Sequence, residues 1–141
     1  AQLGGLEAAA AAKWAHVELT GALTAQAVDD ARGERIAFRP GLTAFARVRG
    51  RTGPVGDWLD DLSLAIDMEH RGAFLAADGG IAPPEVPERT VFGLEVLSEH
   101  AGVLRAFARV LDVADRGGAD FLGFPLPGRR FEVGARLRAA W

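Results

Sequence analysis

Residues 42–70 read LTAFARVRGRTGPVGDWLDDLSLAIDMEH, and the interpretation of this stretch decides the predicted fold. Its first part, from Leu42 to Arg49, is a short extended run that follows the turn dipeptide Pro40-Gly41. Gly53-Pro54 then interrupts the pattern. From Val55 to about His70, apolar residues recur at helical spacing and acidic residues occupy the first turns, as in an amphipathic helix. The stretch therefore predicts a strand followed by a helix.

The rest of the chain shows similar alternation between extended and helical patterns. The first residues, rich in Ala, Leu and Glu, predict a helix from Leu3 to about Ala31, with a short strand at His16–Leu19 as the alternative. A third helix is predicted from about Ala101 to Asp115. Further extended runs are predicted at Glu34–Arg39, Ala73–Ala77, Thr90–Ser98, Asp120–Leu126 and Arg130–Leu137.

The order of these elements favours an α+β fold. After an N-terminal helix (residues 1–33), residues 34–141 give strand-strand-helix-strand and then strand-helix-strand-strand. Two β-α-β units joined by an extended link build a ferredoxin-like (split β-α-β) domain, in which two helices pack on one face of an antiparallel sheet. Residue matches at an offset of 47, and one at 45, raise the hypothesis that residues 34–80 and 88–141 are duplicated halves. The alternative is that any two β-α-β units share an aromatic strand and a helix that ends at glycine.

The composition leaves little material for catalysis. The chain has 141 residues, 49% apolar and 25% charged, with a net charge of −3, which fits one globular domain. It contains no Cys, Tyr or Asn, and Lys13 is its sole lysine. These absences exclude thiol chemistry, disulfides and Cys-ligated zinc, and neither a phosphate-binding loop nor a Gly-x-Ser-x-Gly motif occurs. We therefore predict no catalytic residue and no cofactor.

Two patterns represent the alternative of an enzyme. His16, His70 and His100 each have a carboxylate nearby in sequence, as in an open metal site, but none of the pairs has the H-x-H or H-x-x-x-H spacing. We predict no metal site. Asp57 and Asp61, four residues apart on the predicted helix, are a candidate acid–base pair, although the outer face of any amphipathic helix carries the same pattern.

A basic segment precedes the acidic one. Residues 32–51 carry six arginines and one glutamate, and residues 57–70 carry five acidic residues. On the predicted strand, Phe45, Arg47 and Arg49 alternate onto one face. An aromatic ring beside arginines is typical of nucleic-acid platforms, but the segment does not fit the RNA-recognition-motif pattern and the chain is acidic overall. We predict a contact surface for a protein partner or a second copy, and no nucleic acid.

Residues 94–118 resemble the start of an ACT domain, a regulatory family that binds amino acids. In that family a strand leads through a Pro-Gly-x-Leu turn into a helix, and here Ala101 stands at the proline position. The resemblance implies an amino acid bound beside Glu99, His100, Gly102 and Leu104.

Nearly the whole chain is similar to the soluble domains of PilN, PilO and GspM-type proteins, inner-membrane assembly factors of type IV pili and type II secretion. The similarity lies in the element order, with Leu42–Leu62 and Arg130–Leu137 as typical stretches. It implies a non-catalytic assembly module that dimerises through sheet edges and helices, and an ACT-like regulatory domain is the alternative.

The N-terminus bears on where such a module would act. Ala1 in place of Met indicates a piece of a longer protein. The longest apolar run, Ala8–Ala12, is far below the ~20 residues that span a bilayer, so a membrane anchor would have to precede residue 1. With such an anchor the module would be periplasmic, and otherwise cytoplasmic.

Overall fold

The fold is a single antiparallel sheet of seven long strands in a computed structural model that describes residues 2–29, 37, 39–76, 85–116, 118–119 and 125–138. Numbered along the chain, the strands are β1 (Gln2–Lys13), β2 (Val17–Asp29), β3 (Leu42–Arg51), β4 (Leu59–Arg71), β5 (Phe74–Leu75), β6 (Glu85–Val86), β7 (Arg89–His100), β8 (Leu104–Leu111), β9 (Gly118–Ala119), β10 (Pro125–Leu126) and β11 (Arg130–Leu137). The large sheet has the order β1-β2-β3-β4-β7-β8-β11, and all its neighbouring strands are antiparallel. The short strands form two hairpins, β5–β6 and β9–β10.

The connections differ in length at the two ends of the sheet. At one end, which we call the short-turn end, residues 14–16, 52–58 and 101–103 join successive strands. At the other end, the long-loop end, the connections span residues 30–41, 72–88 and 112–129, and the last two contain the small hairpins. The antiparallel order requires this arrangement, because every second connection returns to the same end.

Strand β4 shows which residues the sheet shields. Asp61, Ser63, Ala65 and Asp67 are buried, whereas the alternate residues, including Leu64 (49% exposed), are exposed. In an ordinary water-soluble antiparallel sheet the apolar side faces a core and the polar side faces solvent. In β4 the pattern is reversed.

Strand register extends this division across the sheet. One side, which we call the apolar face, includes Leu6, Ala8, Ala10, Ala12, Val17, Leu19, Gly21, Leu23, Ala25, Leu42, Ala44, Ala46, Val48, Gly50, Leu62, Leu64, Ile66, Met68, Phe92, Leu94, Val96, Ser98, Leu104, Ala106, Ala108, Val110, Phe131, Val133, Ala135 and Leu137, with the polar residues His70, Thr90 and His100 toward its ends. The opposite side, the charged face, includes Lys13, Glu18, Phe45, Arg47, Arg49, Arg51, Asp61, Asp67, Arg71, Arg89, Gly93, Glu95, Glu99, Arg105, Phe107, Arg109 and Glu132.

The hydrophobic core is correspondingly small. Its buried cluster is Phe74, Ala76 and Val86, around the β5–β6 hairpin. Among the described residues, no large side chain is fully buried and no helix packs on either face of the sheet. Within the ranges that the structure describes, no protein layer therefore lies over the apolar side chains of the long strands.

The predicted α+β, ferredoxin-like fold is wrong, because its three helices are strands. The N-terminal helix of residues 1–33 is replaced by the β1–β2 hairpin, the helix from Val55 by β4, and the helix from Ala101 by β8. Helix propensity is a weak preference that pairing with a neighbouring strand overrides, even in the alanine run Ala8–Ala12.

Several predicted strands agree with the structure. Leu42–Arg49, Thr90–Ser98 and Arg130–Leu137 lie within β3, β7 and β11, and the alternative strand at His16–Leu19 overlaps the start of β2. The run Ala73–Ala77 contains β5. Glu34–Arg39 and Asp120–Leu126 fall mostly outside the described residues. The relation between residues 34–80 and 88–141 stays a prediction.

Candidate functional site

Arg47 is the centre of an ion-pair network on the charged face. Its Nη2 donates to Glu95 Oε1 at 2.5 Å, and its Nη1 lies 3.3 Å from Asp67 Oδ1. Arg49 Nη2 also reaches Glu95 Oε1, at 3.5 Å. The side chains of Asp67 and Glu95 are only 7% and 16% exposed, so the carboxylates depend on these arginines for compensation of their charge.

The network continues toward the short-turn end. Arg51 Nε donates to Asp61 Oδ2 at 3.0 Å, and this hydrogen bond raises the pKa of Arg51 above its ordinary value. Asp61 Oδ1 accepts from the backbone N–H of Gly53 at 3.2 Å. Lys13 Nζ lies 3.0 Å from Glu18 Oε1, and its hydrogen bond lowers the pKa of Glu18. These contacts connect β1, β2, β3 and β4 across the charged face.

A separate ion pair lies at the long-loop end. Arg89 Nη2 donates to Asp112 Oδ2 at 2.8 Å. Asp112, at 3% exposure, also accepts from the backbone N–H of Arg116 through Oδ1. This pair ties the start of β7 to the connection that leaves β8.

Buried polar atoms without a hydrogen-bond partner are confined to the charged face. Within the described part of the chain they are Arg49 Nε, Ser63 Oγ, Asp67 Oδ1, Asp67 Oδ2, Arg71 Nε, Arg89 Nε and Arg109 Nε. A buried polar group without a partner costs roughly 1–3 kcal/mol, so such groups usually bind water or a ligand. The charged face thus has a capacity for polar contacts that the sheet does not satisfy.

Four aromatic side chains lie near the two ends of the sheet, and two of them, Phe92 and Phe131, belong to the apolar face. Trp14 (57% exposed) and Trp58 lie in the short turns, and Trp58 stacks on His100 with ring centroids 5.0 Å apart. Phe92 and Phe131 lie near the long-loop end, on β7 and β11. Aliphatic and small residues occupy the band between them.

The predicted contact residues Phe45, Arg47 and Arg49 do share one face of β3. The two arginines are engaged with Glu95, so they are less available to an acidic partner than the sequence suggested. Glu95 was not assigned a role from the sequence, and Asp67 was considered only as one of the five acidic residues of 57–70, which offer carboxylate pairs for acid–base work. The sequence pattern that could have identified Asp67 is the alternation from position 61 to 67. Asp, Ser, Ala and Asp alternate there with Leu, Leu and Ile, which places the polar residues on one face of a strand.

Three of the four residues implied by the ACT resemblance lie together. Glu99, Gly102 and Leu104 line a cavity of about 210 Å³ beside the β7–β8 turn. His100 belongs to the other face, where it stacks on Trp58 and its Nε2 lies 3.0 Å from Ser98 Oγ. The helix that follows the turn in ACT domains is strand β8 in this chain.

The other candidate residues are dispersed. His70 lies at the long-loop end with Nδ1 2.9 Å from Thr90 Oγ1, whereas His16 and His100 lie at the short-turn end. In the described ranges, no group of three His, Asp, Glu or Cys side chains has an arrangement that holds a metal ion. Asp57 is exposed in a turn, and Asp61 is buried beside Arg51, so the helical face that would have paired these carboxylates does not exist.

Known proteins offer no template for this chain, so the apolar face and the charged face of the sheet are the basis for a functional interpretation. No protein-family model, curated protein or solved structure matches the chain. The similarity to pilus and secretion proteins stays a hypothesis, and the element order on which it was based includes the three helices that are strands. Across the described residues, no helix is long and apolar enough to cross a membrane.

Proposed function

We propose that this chain contributes a membrane-embedded β-sheet that acts without catalytic chemistry, with its apolar face against lipid hydrocarbon and its charged face against water. Its outer strands β1 and β11 would then pair with further strands, because unpaired backbone groups are too costly in hydrocarbon. One observation carries the proposal: from Leu62 to Met68, and at the corresponding positions of all seven long strands, the apolar face has no Asp, Glu, Lys or Arg. Contiguous exposed apolar surface of this extent is rare on water-soluble monomers and marks a contact with lipid or another protein.

The dimensions of the strands support lipid as the occupant. A tilted strand crosses the hydrocarbon layer with about 9–11 residues. Strands β1, β2, β3, β4 and β7 contain 10 to 13 residues, and β8 and β11 contain 8. Alternation of apolar and polar residues along each strand gives one face suited to hydrocarbon and one suited to water.

The ends of the sheet support the same environment. Tryptophan concentrates where hydrocarbon meets water, because most of its ring is apolar and its N–H donates a hydrogen bond, and other aromatic rings form girdles at the same boundaries. Trp14 and Trp58 lie at the short-turn end of the sheet, and Phe92 and Phe131 lie near the long-loop end, where these boundaries would fall. Short turns at one end and long connections at the other are also typical of membrane sheets.

A protein partner on the apolar face is the second candidate, in keeping with the assembly module expected from the sequence. It is favoured by β11, where Phe131, Val133 and Leu137 are 73%, 82% and 77% exposed. Association through this strand would cover those side chains and pair its free edge.

Adjacent alanines on β1 provide a matched test of lipid contact. Ala9 and Ala10 are both exposed, lie side by side, and point to the charged and apolar faces respectively. Because the chain has no Cys, Ala9→Cys and Ala10→Cys can each carry one environment-sensitive fluorophore. In vesicles that contain nitroxide-labelled lipids, we expect strong quenching at position 10 and little at position 9.

Two outcomes would contradict the lipid assignment. Equal quenching at both positions would mean that lipid contacts the charged face and the apolar face to the same extent. A fluorophore at position 10 that is shielded from water in lipid-free buffer, together with a discrete dimer or larger species in sedimentation, would support the protein partner instead.

A further inference from the structure

The charged face contains a cavity of about 470 Å³ that the ion-pair network leaves open. Its walls come from β4, β7, β8, β11 and the segment before β11, and they include Asp67, Gly93, Arg109 and Glu132. The cavity lies toward the long-loop end. It is independent of whatever covers the apolar face, because all of these side chains belong to the opposite side of the sheet.

Asp67 provides a buried carboxylate at this cavity, and its ion pair with Arg47 leaves both of its oxygens without a hydrogen bond. The residue is 5% exposed, and neither carboxylate oxygen accepts a hydrogen bond from the described residues. Oδ1 lies 3.3 Å from Arg47 Nη1, whose guanidinium makes its short contact with Glu95 instead. Oδ2 has no such neighbour. A buried carboxylate in this state gains substantially from a positively charged donor.

Gly93 leaves the space in front of that carboxylate open. It is the cross-strand neighbour of Asp67, and a Cβ at this position would lie 3.5 Å from Asp67 Oδ2. Any other residue at position 93 would therefore extend a side chain past the carboxylate on the charged face.

Arg109 provides an unsatisfied positive charge on the same wall. It lies on the charged face of β8, and its buried Nε has no hydrogen-bond partner. In the part of the chain that the structure describes, no carboxylate lies within ion-pair distance of its guanidinium. By register, Arg109 lies directly opposite Glu95 on β7 and Glu132 on β11, although neither carboxylate forms an ion pair with its guanidinium. Leu111, two residues further along β8, is the cross-strand neighbour of Gly93.

We infer that this cavity binds a small zwitterion, with an ammonium group at Asp67 Oδ2 and a carboxylate at the Arg109 guanidinium. A ligand with both charges supplies a hydrogen-bond donor at Asp67 and an acceptor at Arg109, whereas a simple cation or anion supplies only one of these contacts. The volume is adequate, since 470 Å³ compares with about 30 Å³ for each water molecule in the liquid. Glu132 and Arg130 at the rim add charges of both signs.

The test uses 4-aminobutyrate as the probe, with butylammonium and butyrate as controls that each lack one charge. In the full chain, kept monodisperse in detergent micelles, we expect saturable shifts of the Gly93 amide NMR resonance with 4-aminobutyrate. The two single-charge compounds should bind at least tenfold more weakly. Absence of saturation with 4-aminobutyrate, or equal affinity for butylammonium, would overturn the inference.

Substitutions test which side chain of the cavity binds each charge of the ligand. Asp67→Asn and Arg109→Gln should each weaken 4-aminobutyrate binding at least tenfold. Gly93→Ala should do the same by steric exclusion, and its added methyl meets only ordinary van der Waals contacts of 3.5–3.6 Å, so the fold is retained.

A matched control substitution is available for each of the two charged residues, Asp67 and Arg109. Arg105→Gln changes an arginine on the same face of the same strand outside the cavity, and Asp57→Asn changes an exposed carboxylate in a short turn. Neither should alter binding. Retained affinity in Asp67→Asn, with circular dichroism unchanged, would refute the assigned site.

Discussion

At the residue scale, the charged face depends on a few arginines that each compensate more than one carboxylate. Arg47 contacts Asp67 and Glu95, which are both mostly buried, whereas Arg105 contacts only Glu99 at 3.5 Å with both side chains well exposed. The same residue type therefore has two different energetic roles. Loss of one partner from a buried pair leaves an uncompensated charge, and loss of an exposed pair leaves a solvated one.

Arg47→Gln should consequently lower the free energy of unfolding by about 3–5 kcal/mol. Arg105→Gln, the matched control, should lower it by less than about 1 kcal/mol. Denaturant titration of both variants against the unchanged chain measures the difference. Equal losses would mean that solvent already screens the charges around Arg47.

Glu18 gives a prediction about pH. Its folded-state pKa is lowered, chiefly by the hydrogen bond from Lys13 and also by Arg51 3.7 Å away. The stabilisation is therefore present above the unfolded pKa, near 4.5, and is lost as the pH falls through the folded value. An NMR titration of the Glu18 carboxyl should show a pKa below 4.5 that rises toward it in Lys13→Gln. An unchanged value in that variant would contradict the assigned cause.

At the scale of elements, the β7–β8 hairpin turn contains a strained residue. Ala101 and Gly102 both have positive φ, 46° and 67°, and the N–H of Val103 donates to the carbonyl of His100 at 3.0 Å. This is the geometry of a type I′ turn, which matches the twist of a hairpin and favours Asn-Gly or Gly-Gly. Alanine in the left-handed region costs about 1–2 kcal/mol.

Ala101→Gly should therefore stabilise the chain by about 1 kcal/mol, because it relieves that strain. Ala108→Gly, an exposed alanine on strand β8, is the control and should destabilise by about 0.5–1 kcal/mol. Thermal or denaturant unfolding measures both. A loss of stability in Ala101→Gly would show that the backbone at this turn is not strained.

The strands that were misread as helices have a specific ambiguity. In β4, Leu62 and Ile66 are four residues apart, a spacing that fits a helix turn and also a strand face. Leu64 and Met68 complete the period of two, and together with Asp61, Ser63 and Asp67 on the other side they identify a strand. Three other strands were predicted correctly because their β-branched and aromatic residues favour extended structure.

The candidate sites were predictable only in part for a related reason. Phe45, Arg47 and Arg49 alternate within a single strand, so their common face follows from the sequence. Asp67, Gly93 and Arg109 come from three strands, and only the register of β4, β7 and β8 brings them to one cavity. No spacing within one segment carries that information.

At the scale of the whole molecule, the apolar content of 49% fits one globular domain, yet many of the apolar side chains lie on one open face. The composition gives the amount of apolar surface, but it does not give the side of the sheet on which that surface lies. If lipid covers this face, the cost of a charge there must depend on depth. Stability measurements can resolve that dependence.

Leu64 and Leu42 offer the comparison, since both belong to the apolar face, one at the middle of β4 and one at the first residue of β3. In vesicles, Leu64→Arg should lower the free energy of unfolding by about 2–4 kcal/mol and Leu42→Arg by about 0–1 kcal/mol. On a face exposed to water, both changes would stay within about 0.5 kcal/mol. Small, equal effects in vesicles would therefore argue against burial in lipid.

The strand order has a consequence for possible neighbours. Six successive antiparallel pairings separate β1 from β11, so the two outer strands point in the same direction. A second copy with the same orientation across a bilayer would present β1 beside β11 in parallel, and a β11–β11 antiparallel contact would need one copy upside down. Any strand that extends this sheet by antiparallel pairing, at either margin, must run opposite to both outer strands. Self-recognition at the margins is thus disfavoured by direction alone, and a sequence-distinct neighbour is preferred.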